Sequence, residues 1–174
     1  NTVLSNLVLH LDAANVKSSK DGQSDWYDLS GYRNDGSLSG GAVYNSQYYG
    51  NIVFGGGNSV VIIPSGVTAN LTNGYTLETW VSVGNIGDNL ALIATNRDGN
   101  DNNSTFILSI DNRGDNTKPW SPNSEKMVLL AQYGYGSGNN YIGGYPYSGK
   151  TNGDNTYHQI VFVFKPERLI LYFD

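Results

Sequence analysis

The sequence has no cysteine, one methionine and only five prolines among its 174 residues. Without cysteine, disulfide bridges, thiolate zinc sites and thiol nucleophiles are all excluded. Charged residues make up 14% of the chain, against about 25% in an average soluble domain. The 10 Lys and Arg residues are scattered singly and the net charge is −5, so nucleic acid and anionic membranes are not expected partners. No apolar run approaches the roughly 20 residues of a membrane-spanning helix.

The chain is instead rich in glycine (22 residues) and tyrosine (13 residues). Short runs of Val, Ile, Tyr, Phe and Thr alternate with Gly, Asn, Asp and Ser, which is typical of an all-β sandwich or barrel. The length predicts one domain over residues 1–174. Strands are predicted at residues 7–11, 51–54, 59–63, 75–83, 91–95, 105–110, 126–132, 157–164 and 168–173. No sustained apolar repeat at helical spacing occurs, and only a turn of helix is expected, at residues 66–71.

Alternation is clearest at residues 75–83, where Glu78 and Trp80 share one face of the predicted strand. A tryptophan on that face predicts that the face is partly covered. Residues 157–164 are apolar on both faces after Gln159, as expected of an interior strand. The Tyr- and Gly-rich stretch at residues 133–147 is predicted to be a long loop, and the glycines at 55–57 a hairpin turn.

Six segments of the sequence, taken together and in order, resemble a known family. They are NLVLHLDAANV (6–16), WYDLSGYRNDGSL (26–38), NIVFGGGNSVVIIP (51–64), YTLETWV (75–81), YHQIVFVFK (157–165) and LILYFD (169–174). The same order of segments occurs in laminin-G-like jelly-roll domains of the concanavalin A-like lectin and glucanase superfamily. The chain is most similar to the versions found in phage decoration and fibre proteins and in bacterial surface proteins. The resemblance implies two antiparallel sheets packed face to face.

The sequence departs from this family in two places. The turn at residues 54–61 lacks the two acidic residues that family members often carry, so a calcium or ligand role of that turn is not transferred to this chain. The family also continues after a segment like LILYFD with a return strand and a final strand. We therefore expect the C-terminal strands to be missing at Asp174 and the polypeptide to continue, or else a neighbouring chain to supply the missing strand.

No catalytic constellation stands out, and the chain is predicted not to be an enzyme. Glucanases of this superfamily resemble one another in a Glu-x-Asp-x-x-Glu strand, and none of Glu78, Glu125 and Glu167 begins such a motif. His10 and His158 fall in or beside predicted strands, where packing or hydrogen bonding is a commoner role than proton transfer. No G-x-S-x-G nucleophile motif is present.

The best candidate for a metal site is a calcium site in the polar loop at residues 96–104. Asp98, Asn100 and Asp101 would supply the oxygen ligands that calcium prefers. The loop does not have the spacing of an EF-hand. The simpler interpretation is a solvated loop whose Asn and Asp side chains cap their own turns, and no cofactor is expected.

The candidate ligand-binding residues are aromatic. Tyrosine and tryptophan rings stack on the C–H faces of sugars, and flexible glycine around rigid tyrosine is also typical of protein-binding loops. The candidates for glycan or subunit contact are Trp120, Tyr133, Tyr135, Tyr141, Tyr145 and Tyr147. The sequence leaves both kinds of contact open.

These observations and the resemblance together predict a non-catalytic module on a virion surface, either a capsid decoration protein or a fibre-like protein. Its expected partners are identical subunits, the capsid shell protein and host-surface polysaccharide. The alternative is a secreted glycan-binding or adhesin module at a bacterial cell surface. A glycoside hydrolase is the third hypothesis.

Overall fold

The computed structural model consists of β-strands and short 3-10 turns, with no α-helix in the described residues. It describes residues 6–67, 74–84, 90–95, 106–111, 128–133, 140–146, 155–165 and 168–174. Two compact units are present, Asn1–Asn70 and Leu71–Asp174. None of the described helices is long and apolar enough to cross a membrane. The all-β class is therefore confirmed, while the jelly-roll arrangement stays a prediction.

The first unit contains short strands and two 3-10 turns. The strands are β1 (Asp25–Trp26), β2 (Gly36–Ser39), β3 (Val43–Asn45), β4 (Asn51–Val53) and β5 (Val60–Ile62), and the turns are Gln47–Tyr49 and Ser65–Val67. Strand β2 pairs antiparallel with both β1 and β5, and β3 pairs with β4 as a separate ribbon. After β2 the backbone of Gly40 has φ +62°, and a Cβ there would lie 2.0 Å from the carbonyl oxygen of Asn58. Glycine is therefore required at this close approach.

The carboxylate of Asp28 organises the turn that follows β1. Its Oδ1 accepts the backbone N–H groups of His10 (2.8 Å) and Ser30 (2.9 Å). Its Oδ2 accepts the Ser30 hydroxyl (2.6 Å) and the backbone N–H of Asn34 (3.0 Å). Partial burial by itself raises the pKa of Asp28, but the hydrogen bonds from Ser30, His10 and Asn34 outweigh it and hold the pKa below its ordinary value of 3.8.

The second unit contains two antiparallel sheets. Its strands are β6 (Tyr75–Ser82), β7 (Leu90–Thr95), β8 (Phe106–Asp111), β9 (Val128–Tyr133), β10 (Asn140–Pro146), β11 (Tyr157–Lys165) and β12 (Arg168–Phe173). One sheet has the order β10-β9-β8-β7 and the other the order β12-β11-β6. Strands that are neighbours in a sheet are also consecutive in sequence, with one exception. Strand β11 pairs with β6, which is the first strand of the unit in sequence.

The core of the second unit lies between these two sheets. Leu108 and Ile110 come from β8, and Ile160, Phe162 and Leu171 come from β11 and β12. All five side chains are buried and belong to one cluster. Because the cluster draws on both sheets, the unit has a sandwich-like architecture with its apolar side chains turned inward.

Strand β6 contributes its alternate residues to this core. Tyr75 lies at its start, with its ring 5.2 Å from the ring of Phe164 in a stacked arrangement and 5.8 Å from the ring of Phe162 edge-on. Burial among these rings raises the pKa of the Tyr75 phenol. The other residues of β6 face away from the core and are exposed.

Eight of the nine predicted strands are observed, with ends that differ by at most two residues. The predicted strand at residues 7–11 is wrong. That segment has no strand pairing and is held instead by hydrogen bonds to the Asp28 turn, including one from Leu29 N to His10 O of 2.8 Å. The short strands β1, β2 and β3 escaped prediction because each is only two to four residues long, too short for an alternating pattern to develop.

Three finer predictions also need correction or fall partly outside the described residues. The stretch 133–147 is not one long loop, because Asn140–Pro146 forms strand β10. The glycines at 55–57 do not close a hairpin, since β4 pairs with β3 and β5 pairs with β2. Of the predicted helical turn at 66–71, only residues 66 and 67 are described, and they belong to the 3-10 turn Ser65–Val67.

Candidate functional site

The outward face of the β12-β11-β6 sheet carries large exposed aromatic side chains. Trp80 on β6 is 57% exposed, Tyr157 on β11 is 47% exposed and Tyr172 on β12 is 57% exposed. Single exposed aromatic residues are ordinary on a protein surface, but three on one face of a small sheet form a patch. We call these three residues, together with Glu78 and Gln159 between them, the aromatic face. The Trp80 side of β6, which is predicted to be partly covered, has exposed residues throughout, with Trp80 at 57%.

The strand register fixes the spacing of the aromatic face. Trp80 lies opposite Gln159, Tyr157 opposite Ser82, and Tyr172 opposite Val161. With strands ~4.8 Å apart and a rise of ~3.4 Å per residue, the Cα atoms of Trp80 and Tyr172 are about 12 Å apart. Those of Trp80 and Tyr157 are about 8 Å apart by the same geometry. Gln159 therefore lies in the middle of the three rings.

The polar centre of the face is already arranged by a hydrogen bond. Gln159 Nε2 donates to Glu78 Oε1 at 2.6 Å, across the β11–β6 pair. The backbone N–H of Gln159 donates to Asp174 Oδ1 at 2.9 Å, so the backbone of Gln159 is held as well as its side chain. In the described part of the chain, Glu78 Oε2 and Gln159 Oε1 accept no hydrogen bond. Two acceptor oxygens thus lie on the same sheet face as the three aromatic side chains.

The electrostatic character of the face is negative at its centre. Glu78 and Asp174 flank Gln159 from the two neighbouring strands. The nearest described lysine or arginine side chain along β11 is Lys165, six residues from Gln159. At ~3.4 Å per residue this is about 20 Å away, beyond the ~8 Å screening length at physiological salt.

His158 and its neighbours form a second cluster at the end of the same sheet. Thr156 Oγ1 lies 2.9 Å from His158 Nε2, and His158 Nδ1 lies 3.1 Å from the Asp174 carbonyl oxygen and 3.5 Å from Asp174 Oδ1. The Thr156 hydroxyl, the His158 imidazole and the Asp174 carboxylate thus lie next to one another in that order. The imidazole also stacks on Phe173, with 5.0 Å between ring centroids. The ring therefore packs on β12 and joins the ends of β11 and β12, as predicted for a strand histidine.

The residues that the sequence singled out for ligand contact are only partly described. Tyr133 ends β9, opposite Asn140 of β10, and Tyr141 lies next to that pair. Tyr145 lies further along β10, past an irregularity in the pairing. For these three tyrosines the backbone alone is described, and it places them on two adjacent strands. Trp120, Tyr135 and Tyr147 lie outside the described residues.

The predicted calcium ligands Asp98, Asn100 and Asp101 also lie outside the described residues. Among the residues that are described, no group of three or more His, Cys, Asp or Glu side chains is placed to hold a metal ion. The calcium site therefore stays a prediction.

Sequence reasoning missed the aromatic face, although its signal was present. Alternation placed Trp80 and Glu78 on the same side of β6, and the same alternation applied to β11 and β12 puts Tyr157, Gln159 and Tyr172 on one side of each strand. What the sequence could not supply is the order β12-β11-β6, which brings these residues together from segments about 80 positions apart, as in the Gln159–Glu78 bond (separation 81).

Comparisons with protein-family models, with curated proteins and with solved structures gave no significant match to this chain. The resemblance to concanavalin A-like domains thus remains a prediction, and the function has to be argued from the aromatic face itself.

Proposed function

We propose that this chain is a non-catalytic surface module that binds carbohydrate through its aromatic face. The observation that carries the proposal is the presence of Trp80, Tyr157 and Tyr172, all exposed, around the hydrogen-bonded pair Gln159 and Glu78. The setting that we propose from the sequence resemblance is a virion surface, where other parts of the molecule contact identical subunits or the capsid shell.

The chemistry of the face suits sugars. Aromatic rings present flat apolar surfaces that pack on the C–H face of a pyranose, at little cost in side-chain entropy because each has only two side-chain torsions. Fixed carboxylate and amide oxygens accept hydrogen bonds from hydroxyl groups. Because Gln159 and Glu78 are already bonded to each other, little further ordering is needed when a ligand binds.

Binding is tested by affinity electrophoresis in gels that contain single polysaccharides, followed by calorimetry on those that retard the protein. Trp80→Ala and Tyr172→Ala are each expected to weaken binding about tenfold, since stacking contacts of this kind contribute ~1–3 kcal/mol each. The matched control is Tyr49→Ala, because Tyr49 is 92% exposed on the first unit, outside the aromatic face. This variant should bind within twofold of the parent.

Two results would overturn the proposal. The first is a glycan bound by the parent whose affinity is unchanged in both Trp80→Ala and Tyr172→Ala. The second is no binding to any polysaccharide in a broad panel. The absence of catalysis is checked in the same samples: reducing ends released from a bound polysaccharide should not exceed those in a protein-free control.

A further inference from the structure

We infer that the aromatic face selects uncharged, extended glycans and rejects glycans that carry carboxylate or sulfate groups. This inference rests on the proposed function and specifies the ligand class of the same site. It follows from three features of the face: its charge, its hydrogen-bonding groups and its length.

The charge of the face opposes an acidic ligand. Glu78 is an exposed residue of β6, and Asp174 reaches Gln159 from the other side. A uronate or sulfate stacked on Trp80 would stand within a few ångströms of Glu78. Two like charges at so short a distance repel each other, which weakens the binding of an acidic ligand relative to a neutral one.

The hydrogen-bonding groups of the face also favour a hydroxyl-bearing ligand. The oxygens that remain to be filled, Glu78 Oε2 and Gln159 Oε1, are acceptors. A sugar hydroxyl can donate to them, whereas a sulfate ester or an ionised uronate offers only acceptors at that position. A buried acceptor facing another acceptor costs free energy because neither is satisfied.

The length of the face indicates more than one sugar ring. Tyr157 lies at the first position of β11, and Tyr172 lies opposite Val161, four residues further along. The corresponding Cα separation is about 14 Å from the strand rise and spacing. A single pyranose cannot touch both rings, so a chain running along β11 is needed, with Trp80 beside its middle.

The test compares polymers that share a backbone and differ in charge: hydroxyethylcellulose with carboxymethylcellulose, and dextran with dextran sulfate. Affinities are measured at low and high salt for the parent, for Glu78→Gln and for Asp21→Asn. Glu78→Gln removes the charge but keeps an oxygen that can accept from Gln159. Asp21→Asn removes the same charge from an exposed turn of the first unit and serves as the matched control.

We expect the parent to bind at least one neutral polymer about tenfold more tightly than its acidic counterpart at low salt, with a smaller ratio at high salt because exposed charges are screened. Glu78→Gln should reduce that ratio to about threefold, because it strengthens binding of the acidic polymer and because its amide nitrogen cannot accept from a hydroxyl of the neutral polymer, and Asp21→Asn should leave the ratio unchanged. Trp80→Ala should weaken binding to both about tenfold, as for carbohydrate binding in general.

The outcomes separate the two proposals. Equal or tighter binding of the acidic polymer, weakened about tenfold in Trp80→Ala, would refute the selectivity and leave carbohydrate binding intact. A ratio that is the same in Glu78→Gln and in the parent would also refute it, since the repulsion would then not come from Glu78. Failure of every polymer to bind would refute carbohydrate binding itself, and the selectivity with it.

Discussion

Replacing Asp28 by Asn is expected to destabilise the first unit in a way that depends on pH. The Asp28 carboxylate accepts four hydrogen bonds from three residues of the surrounding turn, at 2.6–3.0 Å. Asparagine has nearly the same shape, so the substitution leaves no cavity. It keeps one oxygen and turns the other into an amide nitrogen, which faces two donors and cannot accept from either.

The magnitude follows from the bonds that are lost. Hydrogen bonds to a charged group contribute about 1.5–3 kcal/mol each, and asparagine loses two of the four. The carboxylate is only partly buried, so water replaces part of what is lost and the lower half of that range applies. We therefore expect Asp28→Asn to lower the free energy of unfolding of the first unit by about 3 kcal/mol at pH 7, the low end of the range for two bonds.

The pH dependence has a definite sign. The hydrogen bonds hold the pKa of Asp28 below 3.8, so the folded state holds the ionised form more strongly than the unfolded chain does. The stability that Asp28 contributes is fully present above pH 3.8 and is lost as the pH falls through the lowered pKa of the folded state. The difference between the parent and Asp28→Asn should accordingly shrink as the pH is brought below 3.8.

The assay is urea unfolding followed by tryptophan fluorescence, at neutral and at acid pH. Trp26 lies in β1, two residues before Asp28, and reports on the turn. Asp21→Asn is the control, because Asp21 is exposed and accepts no hydrogen bond in the described part of the chain. A free energy of Asp28→Asn within about 0.5 kcal/mol of the parent at pH 7, or a loss that persists unchanged in acid, would refute the reasoning.

Two further predictions concern packing and backbone geometry, and both are measured by urea or thermal unfolding. Phe162→Ala should lower the free energy of unfolding by about 3–5 kcal/mol, since the Phe162 ring is fully buried between the two sheets. Phe54→Ala should lower it little, because Phe54 is 53% exposed. Similar losses in the two variants would contradict the assigned core. Gly40→Ala should lower the free energy of unfolding by more than about 2 kcal/mol, because its Cβ would meet the Asn58 carbonyl. Gly56 has a φ of +83° but no atom close to the position of a Cβ, so alanine there should cost only about 1–2 kcal/mol. Equal costs would contradict the close approach at Gly40.

The sequence predicted the second unit better than the first. Strand β6 alternates strictly, β11 and β12 are rich in β-branched, leucine and aromatic residues, and the predicted ends of β12 match the structure. Such strands are readable because one face has to be buried, and burial imposes a period of two. In the first unit the strands are two to four residues long, so no period develops.

The strand β10 illustrates a different reason for failure. Its sequence, NYIGGYP, contains glycine and proline, which usually mark turns. The pairing with β9 overrides this local preference, and the proline lies at the last position of the strand, where a missing N–H is tolerated. The segment at residues 7–11 shows the reverse case. This apolar run is typical of a strand, but hydrogen bonds hold it against the Asp28 turn and it pairs with no sheet.

The sequence predicts ligand contact in the tyrosine-rich segments, whereas the site that we propose lies on a sheet face. The reason is again the difference between local composition and strand pairing. Composition shows where aromatic residues are frequent, but recognition depends on which of them are exposed beside fixed polar groups. Trp80 and Tyr172 are isolated aromatics in their strands, and only the sheet order makes them neighbours of Gln159. The sequence indicates which residues share one face of a strand, but it does not indicate the order of the strands in the sheet.

Two carboxylates of this chain show how the structure separates stabilisation from recognition. Asp28 has both oxygens filled by donors of its own turn, and the result is a lowered pKa and a fixed loop. Glu78 has one oxygen held by Gln159, and its second oxygen accepts nothing within the described residues. A fully satisfied carboxylate has little to offer a ligand, whereas a half-satisfied one is held in place and still has an acceptor to share. For this reason we place the binding site at Glu78 and treat Asp28 as part of the fold.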